Sequence, residues 1–236
     1  MTHPLAIRLR AALRGTGLAK PLRLLTSGRD YEDGVDRALF NLVHTGDVVW
    51  DVGANIGHYT TQLAEKVGPN GSVIAFEPSP QNFQKLKLSC DDLANVTALQ
   101  LGLSDTSRTL KFEQGDDDIG ATSRLVSDVR ETSSGVVDVD VKSGDDIVAR
   151  ALVASPNVIK IDVEGHEAQA LRGLGNVLKA PGLRGLVIEI HFAILDAAGE
   201  TDAPRHIERQ LSDVGFKTSW IDASHLMGVR TAGPSS

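Results

Sequence analysis

The stretch that most constrains the fold is VVWDVGANIGHY, which runs from Val48 to Tyr59. Its first five residues are mostly apolar, which is typical of a strand covered on both faces in a parallel sheet. Gly53, Asn55 and Gly57 follow, and these residue types tolerate the positive φ angles of a sharp turn. A helical pattern, TTQLAEKV, comes next. This order predicts a ligand site beyond the end of the strand.

The rest of the chain repeats the alternation of strands and helices. Further strands are predicted at 72–77, 95–102, 157–163 and 185–192, and a closing pair at FKTSWID and HLMGVR. Helical patterns separate most of these strands. The order predicts an α/β fold with a doubly wound, mostly parallel sheet.

An insertion interrupts this alternation within 105–145. TLKFEQ and VVDVDVK alternate between apolar and polar residues, so they predict an added pair of exposed strands. The loop between them, 113–135, is rich in acids, serine and glycine, and is either a mobile lid or a plain surface excursion. We therefore divide the chain into a basic segment, 1–29, as a helix or an arm, and a single domain, 30–236, that carries the insertion.

Composition excludes several function classes. The net charge of -7 argues against a nucleic-acid partner, and no run approaches the roughly 18 uncharged apolar residues of a transmembrane segment. The single cysteine, Cys90, excludes an internal disulfide and agrees with a cytoplasmic location. The segment 1–29 has six basic residues and no acid, so it either touches an anionic surface or packs against the domain. The sequence does not decide whether the protein forms a homo-oligomer.

Two acids near the glycine turn narrow the choice of ligand. Glu77 ends the second predicted strand, 24 residues after Gly53, where a carboxylate can accept two ribose hydroxyls. The ligand is therefore predicted to be an adenosine-like nucleoside, either a dinucleotide or S-adenosylmethionine. Asp51 stands just before the turn, where it would repel a pyrophosphate and attract the cation of S-adenosylmethionine. Capping of local amides by Asp51 is the alternative.

Five segments in order resemble the FkbM-type methyltransferases: DVGANIGHYT, FEPSPQNFQKLK, GLSD, VIKIDVEGHEAQALRG and LVIEIH. The resemblance covers roughly 30–220. It implies an S-adenosylmethionine-dependent O-methyltransferase of the Rossmann-like class I, with a seven-stranded sheet and a reversed last hairpin. The implied acceptor is a small molecule or glycan, with the hydroxyl on a sugar, a glycoside or a related metabolite.

The resemblance also implies the residues of the cofactor site. They are Tyr31, Glu32, Asp51, Gly53, Asn55, Gly57, Glu77, Ser104 and Asp105. Ser104 or Asp105 would lie near the adenine. Tyr31 and Glu32 would close over the methionine end of the cofactor.

Methyl transfer to a hydroxyl requires an aligned oxygen and a route for its proton. The residues selected as catalytic are Asp162, His191, Glu189 and Lys160. His191 is a candidate general base, whereas Lys160 could simply be an ion-pair partner. Alternatively, Asp162 with Glu189 or His191 would hold Mg²⁺ or another divalent cation that acidifies the hydroxyl. Glu189 and His191 share a face if one strand contains both, and Asp162 with Glu164 could instead cap a helix.

Two other functions stay open from the sequence. An NAD(P)-dependent oxidoreductase can use the same kind of sheet, although the third glycine of its pyrophosphate turn is missing here. A non-catalytic nucleoside-binding module would keep the pocket, but it would not need the acids and histidines gathered after the predicted strands.

Overall fold

The computed structural model describes residues 28–113, 124–126 and 136–231, with side-chain surroundings for 34–112 and 136–231. The strands are β1 (Val48–Val52), β2 (Ser72–Phe76), β3 (Val96–Leu99), β4 (Gly102–Leu103), β5 (Arg108–Glu113), β6 (Arg124–Val126), β7 (Val136–Lys142), β8 (Val158–Ile161), β9 (Gly185–Glu189), β10 (Phe216–Trp220) and β11 (His225–Arg230). The helices are α1 (Gly28–Leu42), α2 (His58–Val67), α3 (Pro80–Ser89), α4 (Gly144–Ala149), α5 (Glu167–Arg172), α6 (Phe192–Ala197) and α7 (Ala203–Asp213), with a 3-10 turn at Val177–Lys179.

Seven strands form the main sheet in the order β10-β11-β9-β8-β1-β2-β3. Strands β3, β2, β1, β8 and β9 pair in parallel, whereas β11 runs antiparallel to both of its neighbours, β9 and β10. The doubly wound, mostly parallel sheet with a reversed last hairpin is therefore confirmed. Since β1 lies between β2 and β8, the winding changes direction at β1, and a crevice forms beyond its carboxyl end.

Strand β1 is apolar on both faces because helices cover the sheet on both sides. On one face, Val49 packs with Leu39 of α1 and Leu63 of α2. On the other face, Trp50 belongs to the larger core and meets the ring of Phe76 edge-on, with the ring centroids 5.1 Å apart. The continuous apolar pattern of β1 thus reflects burial on both sides, as expected of a parallel sheet.

The insertion forms a separate small sheet, in the order β4-β7-β5-β6. The two predicted strands are present as β5 and β7, which pair antiparallel. The structure adds β4, which pairs in parallel with β7, and the short β6 on β5. Leu103 of β4 packs into the larger core and anchors this small sheet to the domain, and Phe112 of β5 is buried as well. Apart from β6, the loop interpreted as a lid lies outside the described residues from 114 onward.

The predicted boundary near residue 29 falls at the margin of the described chain. Helix α1 begins at Gly28, inside the predicted segment 1–29, and residues 1–27 lie outside the description. The division into 1–29 and 30–236 therefore stays a prediction. Within the described ranges, no helix combines the length and the apolar character needed to cross a bilayer.

Candidate active site

A cleft that is partly open to solvent lies beyond the carboxyl ends of β1 and β2. Gly53, Asn55 and Glu77 line it, as the sequence predicted for the glycine turn and the second strand. Asp162 and Glu164, from the loop after β8, line the same cleft. The residues that follow three neighbouring strands therefore meet in one concave site at the switch point of the sheet.

Several further residues of the cleft were not predicted from the sequence, among them the three that follow. Asn82 comes from α3, and Leu103 and Phe112 come from the small sheet. The pattern around Phe112 indicated a strand but not its position relative to the main sheet. Apolar side chains of the insertion thus form a wall that only the tertiary structure brings to the glycine turn.

The glycine turn has the positive φ angles expected of its sequence. Gly53, Asn55 and Gly57 have φ angles of 79°, 52° and 94°. The turn is pressed against the loop after β8, because a Cβ atom on Gly53 would lie 1.8 Å from the carbonyl oxygen of Asp162. The amides of Gly53 and Ala54 both donate to the carbonyl of Phe76, at 3.0 Å each. Only glycine fits at position 53.

Glu77 places a buried carboxylate in the cleft. Its Oε1 accepts the backbone N–H of Ser79 and its Oε2 accepts that of Asn55, each at 2.8 Å. Burial raises the pKa of Glu77 to about 7, against the opposing effect of these two hydrogen bonds and of Lys160. Each carboxylate oxygen can accept more than one donor. Glu77 can therefore accept further hydroxyl groups from a ligand.

Asn55 contributes a second acceptor. Its side-chain Oδ1 is buried and has no hydrogen-bond partner among the residues that the structure describes. A buried amide oxygen without a partner costs roughly 1–3 kcal/mol. A donor on a bound ligand would remove that cost, so the amide suits a ligand that carries an N–H or O–H group.

Asp51 does not line the cleft, although the sequence placed it against a cationic ligand. Its side chain has no exposed surface. Its Oδ2 accepts the hydroxyl of Thr60 at 2.6 Å, and its Oδ1 lies 3.3 Å from Nζ of Lys160. The negative charge is thus already paired, and direct contact with a ligand cation is not supported by this geometry.

Lys160 is enclosed by the same network. Its Nζ donates to the carbonyl of Gly53 at 3.2 Å and lies 3.5 Å from Oδ2 of Asp162. Burial would lower the pKa of Lys160, but Asp51 and Asp162 outweigh burial and raise it, so the side chain is an ammonium ion. This geometry favours the ion-pair role of Lys160 over a catalytic role.

Ser104 and Asp105 lie outside the lining of the cleft. Ser104 is fully buried, and its hydroxyl is 2.9 Å from Nε2 of His166. Asp105 forms an ion pair with Arg108 at 3.5 Å. Burial lowers the pKa of His166 to about 4, so its ring is neutral and links the small sheet to the loop after β8. Leu103, which precedes Ser104 in the chain, does line the cleft, and the position near an adenine implied for Ser104 and Asp105 stays a prediction.

Tyr31 and Glu32 lie in the first half of α1, and their side chains fall outside the description. Val35 and Leu39 of the same helix line a smaller pocket, together with Asp162. Because Asp162 lines both pockets, α1 lies next to the end of the cleft that Asp162 and Glu164 form, which we call the acidic end. The closure implied for Tyr31 and Glu32 stays a prediction.

Two acids and a histidine converge at this acidic end. The Nε2 atom of His191 lies 3.2 Å from Oε2 of Glu164 and 3.7 Å from Oδ1 of Asp162. A left-handed turn places Glu164, which has a φ of 48°, before Gly165, which has a φ of 91°. On the other side of the ring, Nδ1 of His191 donates to Oε1 of the fully buried Glu167 at 2.6 Å. His191 is thus held from both of its nitrogens.

The protonation of His191 argues against its predicted role as a general base. Burial would lower the pKa of His191, but the hydrogen bonds with Glu164 and Glu167 raise it to about 11. The ring is therefore a cation in this arrangement, and an imidazolium cannot accept a proton.

Glu189 pairs with His225, so the candidate ligand group of the structure differs from the predicted one. Strand β9 ends at Glu189, and His191 already lies in the turn before α6, with a φ of -88° and a ψ of 70°. Their side chains therefore do not follow the alternation of one strand. Oε2 of Glu189 lies 3.5 Å from Nε2 of His225. The group that the structure brings together is Asp162, Glu164 and His191, in place of Asp162, Glu189 and His191.

Residues 51–218 match the family model described as the methyltransferase FkbM domain. The chain belongs to the FkbM methyltransferase family. Hexuronic acid methyltransferase AglP of Haloferax volcanii is 31% identical over 188 residues, which cover 79% of this chain and 70% of that protein. The 31-O-demethyl-FK506 methyltransferase FkbM of Streptomyces tacrolimicus is 28% identical, over 62% of this chain and 66% of that protein.

The fold agrees with this FkbM assignment. The crystal structure of methyltransferase FkbM from Methylobacillus flagellatus has a TM-score of 0.51 and 19% identity, over 78% of this chain. The chain corresponds to 43% of that solved protein, less than half of its length. This likeness shows a shared class I methyltransferase fold, and the resemblance stated from the sequence is confirmed.

Proposed function

We propose that this FkbM-family protein transfers a methyl group from S-adenosylmethionine to a hydroxyl of a sugar, a glycoside or a related metabolite. The observation that carries the proposal is the cleft where the Gly53 turn, the unpartnered oxygen of Asn55 and the buried carboxylate of Glu77 meet. A relative that is 31% identical over 79% of this chain is named as a hexuronic acid methyltransferase, which supports a carbohydrate acceptor.

The donors and acceptors of the cleft fit S-adenosylmethionine. Glu77 can accept ribose hydroxyls, and the Asn55 oxygen can accept an N–H of the methionine end. Leu103 and Phe112 offer apolar surface to an adenine ring. Among the residues that the structure describes, none in the lining of the cleft is cationic, which suits a cofactor that has no phosphate.

The chemistry is an in-line displacement. S-adenosylmethionine supplies a methyl carbon bonded to a sulfonium, which is a good leaving group. The acceptor oxygen forms the new C–O bond, the C–S bond breaks, and its electron pair returns to sulfur. Asp162 and Glu164 would hold the acceptor hydroxyl at the acidic end of the cleft, and its proton would leave to water at the open mouth.

The direct test is transfer of a labelled methyl group from S-adenosylmethionine to a panel of acceptors. We expect methylation of at least one uronic acid, neutral sugar or glycoside, and none of a catechol included as an aromatic control. Binding of S-adenosylhomocysteine without transfer to any carbohydrate would reject the acceptor class. If the protein binds S-adenosylhomocysteine but transfers no methyl group to any acceptor of the panel, the result would support the non-catalytic nucleoside-binding module considered from the sequence.

The raised pKa of Glu77 predicts how cofactor binding depends on pH. Ribose hydroxyls need the ionised carboxylate, whose population grows as pH rises through about 7. We therefore expect the affinity for S-adenosylhomocysteine to rise up to about tenfold between pH ~6 and ~8. Isothermal titration calorimetry at several pH values measures this change.

Glu77→Gln is the matched control for this pH dependence. The amide keeps an acceptor oxygen but does not titrate, so the variant should bind more weakly and with a flat pH profile. The stability of the fold should change in the opposite direction. Because the folded pKa of Glu77 lies above its ordinary value of 4.5, its contribution is present at low pH and is lost as pH rises through about 7. A wild-type affinity independent of pH would contradict the assignment of Glu77 to the ribose.

Family membership removes the case for an NAD(P)-dependent oxidoreductase. A calorimetric titration with NAD should show no binding where S-adenosylhomocysteine binds. A cytoplasmic location and a homo-oligomer stay predictions from the sequence.

A further inference from the structure

We propose that Asp162, Glu164 and His191 form a divalent-cation site at the acidic end of the cleft. One ligand atom from each residue can be chosen so that all three lie within 4.8 Å of one another. Two ligands on opposite sides of an ion with bonds of about 2.2 Å are about 4.4 Å apart, so small side-chain rotations close the site. Two carboxylate oxygens and one imidazole nitrogen suit a metal of intermediate hardness, such as Mn²⁺.

The residues behind the three ligands support a metal site in particular. A metal-bound histidine usually donates its other ring N–H to a carboxylate, which fixes its orientation. Here Nδ1 of His191 donates to Oε1 of Glu167, and that leaves Nε2 directed at Asp162 and Glu164. Lys160 similarly approaches Oδ2 of Asp162 and leaves Oδ1 on the side of His191. The ligand atoms are thus oriented from outside the site.

The balance of charge also favours a cation. Four carboxylates lie in this network: Asp51, Asp162, Glu164 and Glu167. A metal ion can bind Nε2 of His191 only after that nitrogen has lost its proton to water, and Lys160 is then the cationic side chain that stays in the network. The second oxygen of Glu167 is buried and has no hydrogen-bond partner within the described residues. Buried negative charge that is not fully compensated is costly, and a divalent cation would compensate it.

The function proposed for such a cation rests on the proposed methyl transfer. Asp162 and Glu164 also line the cleft, so an open position of the cation would face an acceptor bound there. An acceptor hydroxyl on the cation would lose its proton more readily, and the proton would go to water at the mouth of the cleft. The cluster would then select acceptors whose oxygens can bind a metal.

The first experiment measures Mn²⁺ binding alone, without cofactor or acceptor. The full chain is stripped with a chelator and titrated with Mn²⁺, and free Mn²⁺ is followed by electron paramagnetic resonance. We expect one bound ion per chain. Glu164→Gln should weaken binding at least tenfold, and Glu167→Gln should weaken it roughly 10–100-fold through the orientation of His191.

Two control variants sharpen the result. Glu65→Gln removes an exposed acid on α2, and Glu189→Gln removes the acid that pairs with His225 on the neighbouring strand. Both should keep the wild-type affinity for Mn²⁺. Absence of binding by the wild type, or wild-type affinity in Glu164→Gln, would overturn the site and leave an ion-pair network. Loss of binding in Glu189→Gln would overturn the ligand set. Thermal unfolding confirms that each variant is folded.

The second experiment separates the cation from the methyl-transfer proposal. A chelator should abolish methyl transfer and leave the binding of S-adenosylhomocysteine unchanged, and added Mn²⁺ should restore transfer. Unchanged transfer in the chelator would overturn the role of the cation at the acceptor, even if Mn²⁺ binds. Mn²⁺ binding in a protein that transfers no methyl group would instead contradict the proposed function and leave the metal site standing.

Discussion

Gly53→Ala is expected to lower the free energy of unfolding by more than about 3 kcal/mol, or to prevent folding altogether. The new Cβ would lie 1.8 Å from the carbonyl oxygen of Asp162 and 2.8 Å from its carbonyl carbon, and both are backbone atoms that no side-chain rotation can move. The φ angle of 79° adds strain for any L-residue. Urea unfolding followed by circular dichroism measures the loss.

Gly46→Ala is the matched control for Gly53→Ala. Gly46 has a φ of 88°, but a Cβ there would meet no atom within 4 Å. This variant therefore has the backbone strain without the collision, and we expect a loss of only about 1–2 kcal/mol. Equal losses at the two positions would show that the turn and the loop after β8 are not in close contact.

Lys160→Met is expected to destabilise the protein by about 3–5 kcal/mol, because it leaves the carboxylate of Asp51 buried and without its cation. Asp51 has no exposed surface, and Thr60 is the remaining partner of its carboxylate. Methionine keeps an unbranched chain of similar length, so the loss reports the charge rather than a cavity. Urea unfolding at neutral pH is the measurement.

The double variant Asp51→Asn/Lys160→Met completes a thermodynamic cycle for this pair. Removal of both charges should recover a large part of the stability lost in Lys160→Met, because an amide costs less to bury than an unpaired carboxylate. Additive losses would show that the two side chains do not interact. If Lys160→Met lowered the free energy of unfolding by less than about 1 kcal/mol, the ion pair of Asp51 and Lys160 would contribute no more than an exposed ion pair does.

Much of the main sheet could be predicted because its signals are local. Strand β1 is marked by the apolar run 48–52. The turn that ends it is marked by Gly53, Asn55 and Gly57, which lie within five positions of that run. The bounds of β1, β2 and the closing hairpin agree closely with the predicted segments. Short helices were harder to predict from the sequence. Helices α4 and α6 have six residues each, which are too few to show a helical period.

The pairing of Asp51 with Lys160 could not be predicted from local pattern. The two residues are 109 positions apart in sequence and face each other because β1 pairs with β8 in that register. An acid at the end of an apolar strand can serve a ligand or a buried cation equally well. Strand order decides between them, and strand order depends on the whole fold.

The acidic cluster was partly predicted, and the difference from the predicted ligand set has a geometric cause. Asp162 and His191 meet as expected at the ends of neighbouring strands, but the third member is Glu164 instead of Glu189. The alternation rule applies only within a strand, and β9 ends at Glu189. A positive φ at Glu164, which is uncommon for glutamate, returns its side chain towards His191.

The two sheets have separate hydrogen-bond ladders, with no strand in common among the described residues. Local opening of the insertion can therefore break the β5–β7 ladder without disturbing a single pairing in the seven-stranded core. Amide hydrogen exchange should then divide the protein into two cooperative units, with fast exchange in β5 and β7 and slow exchange in β1 and β8. Phe112 lies on β5 in the faster unit, whereas Leu103 packs in the larger core, so the Phe112 side of the cleft can loosen to admit a bulky molecule while the rest of the cleft keeps its shape.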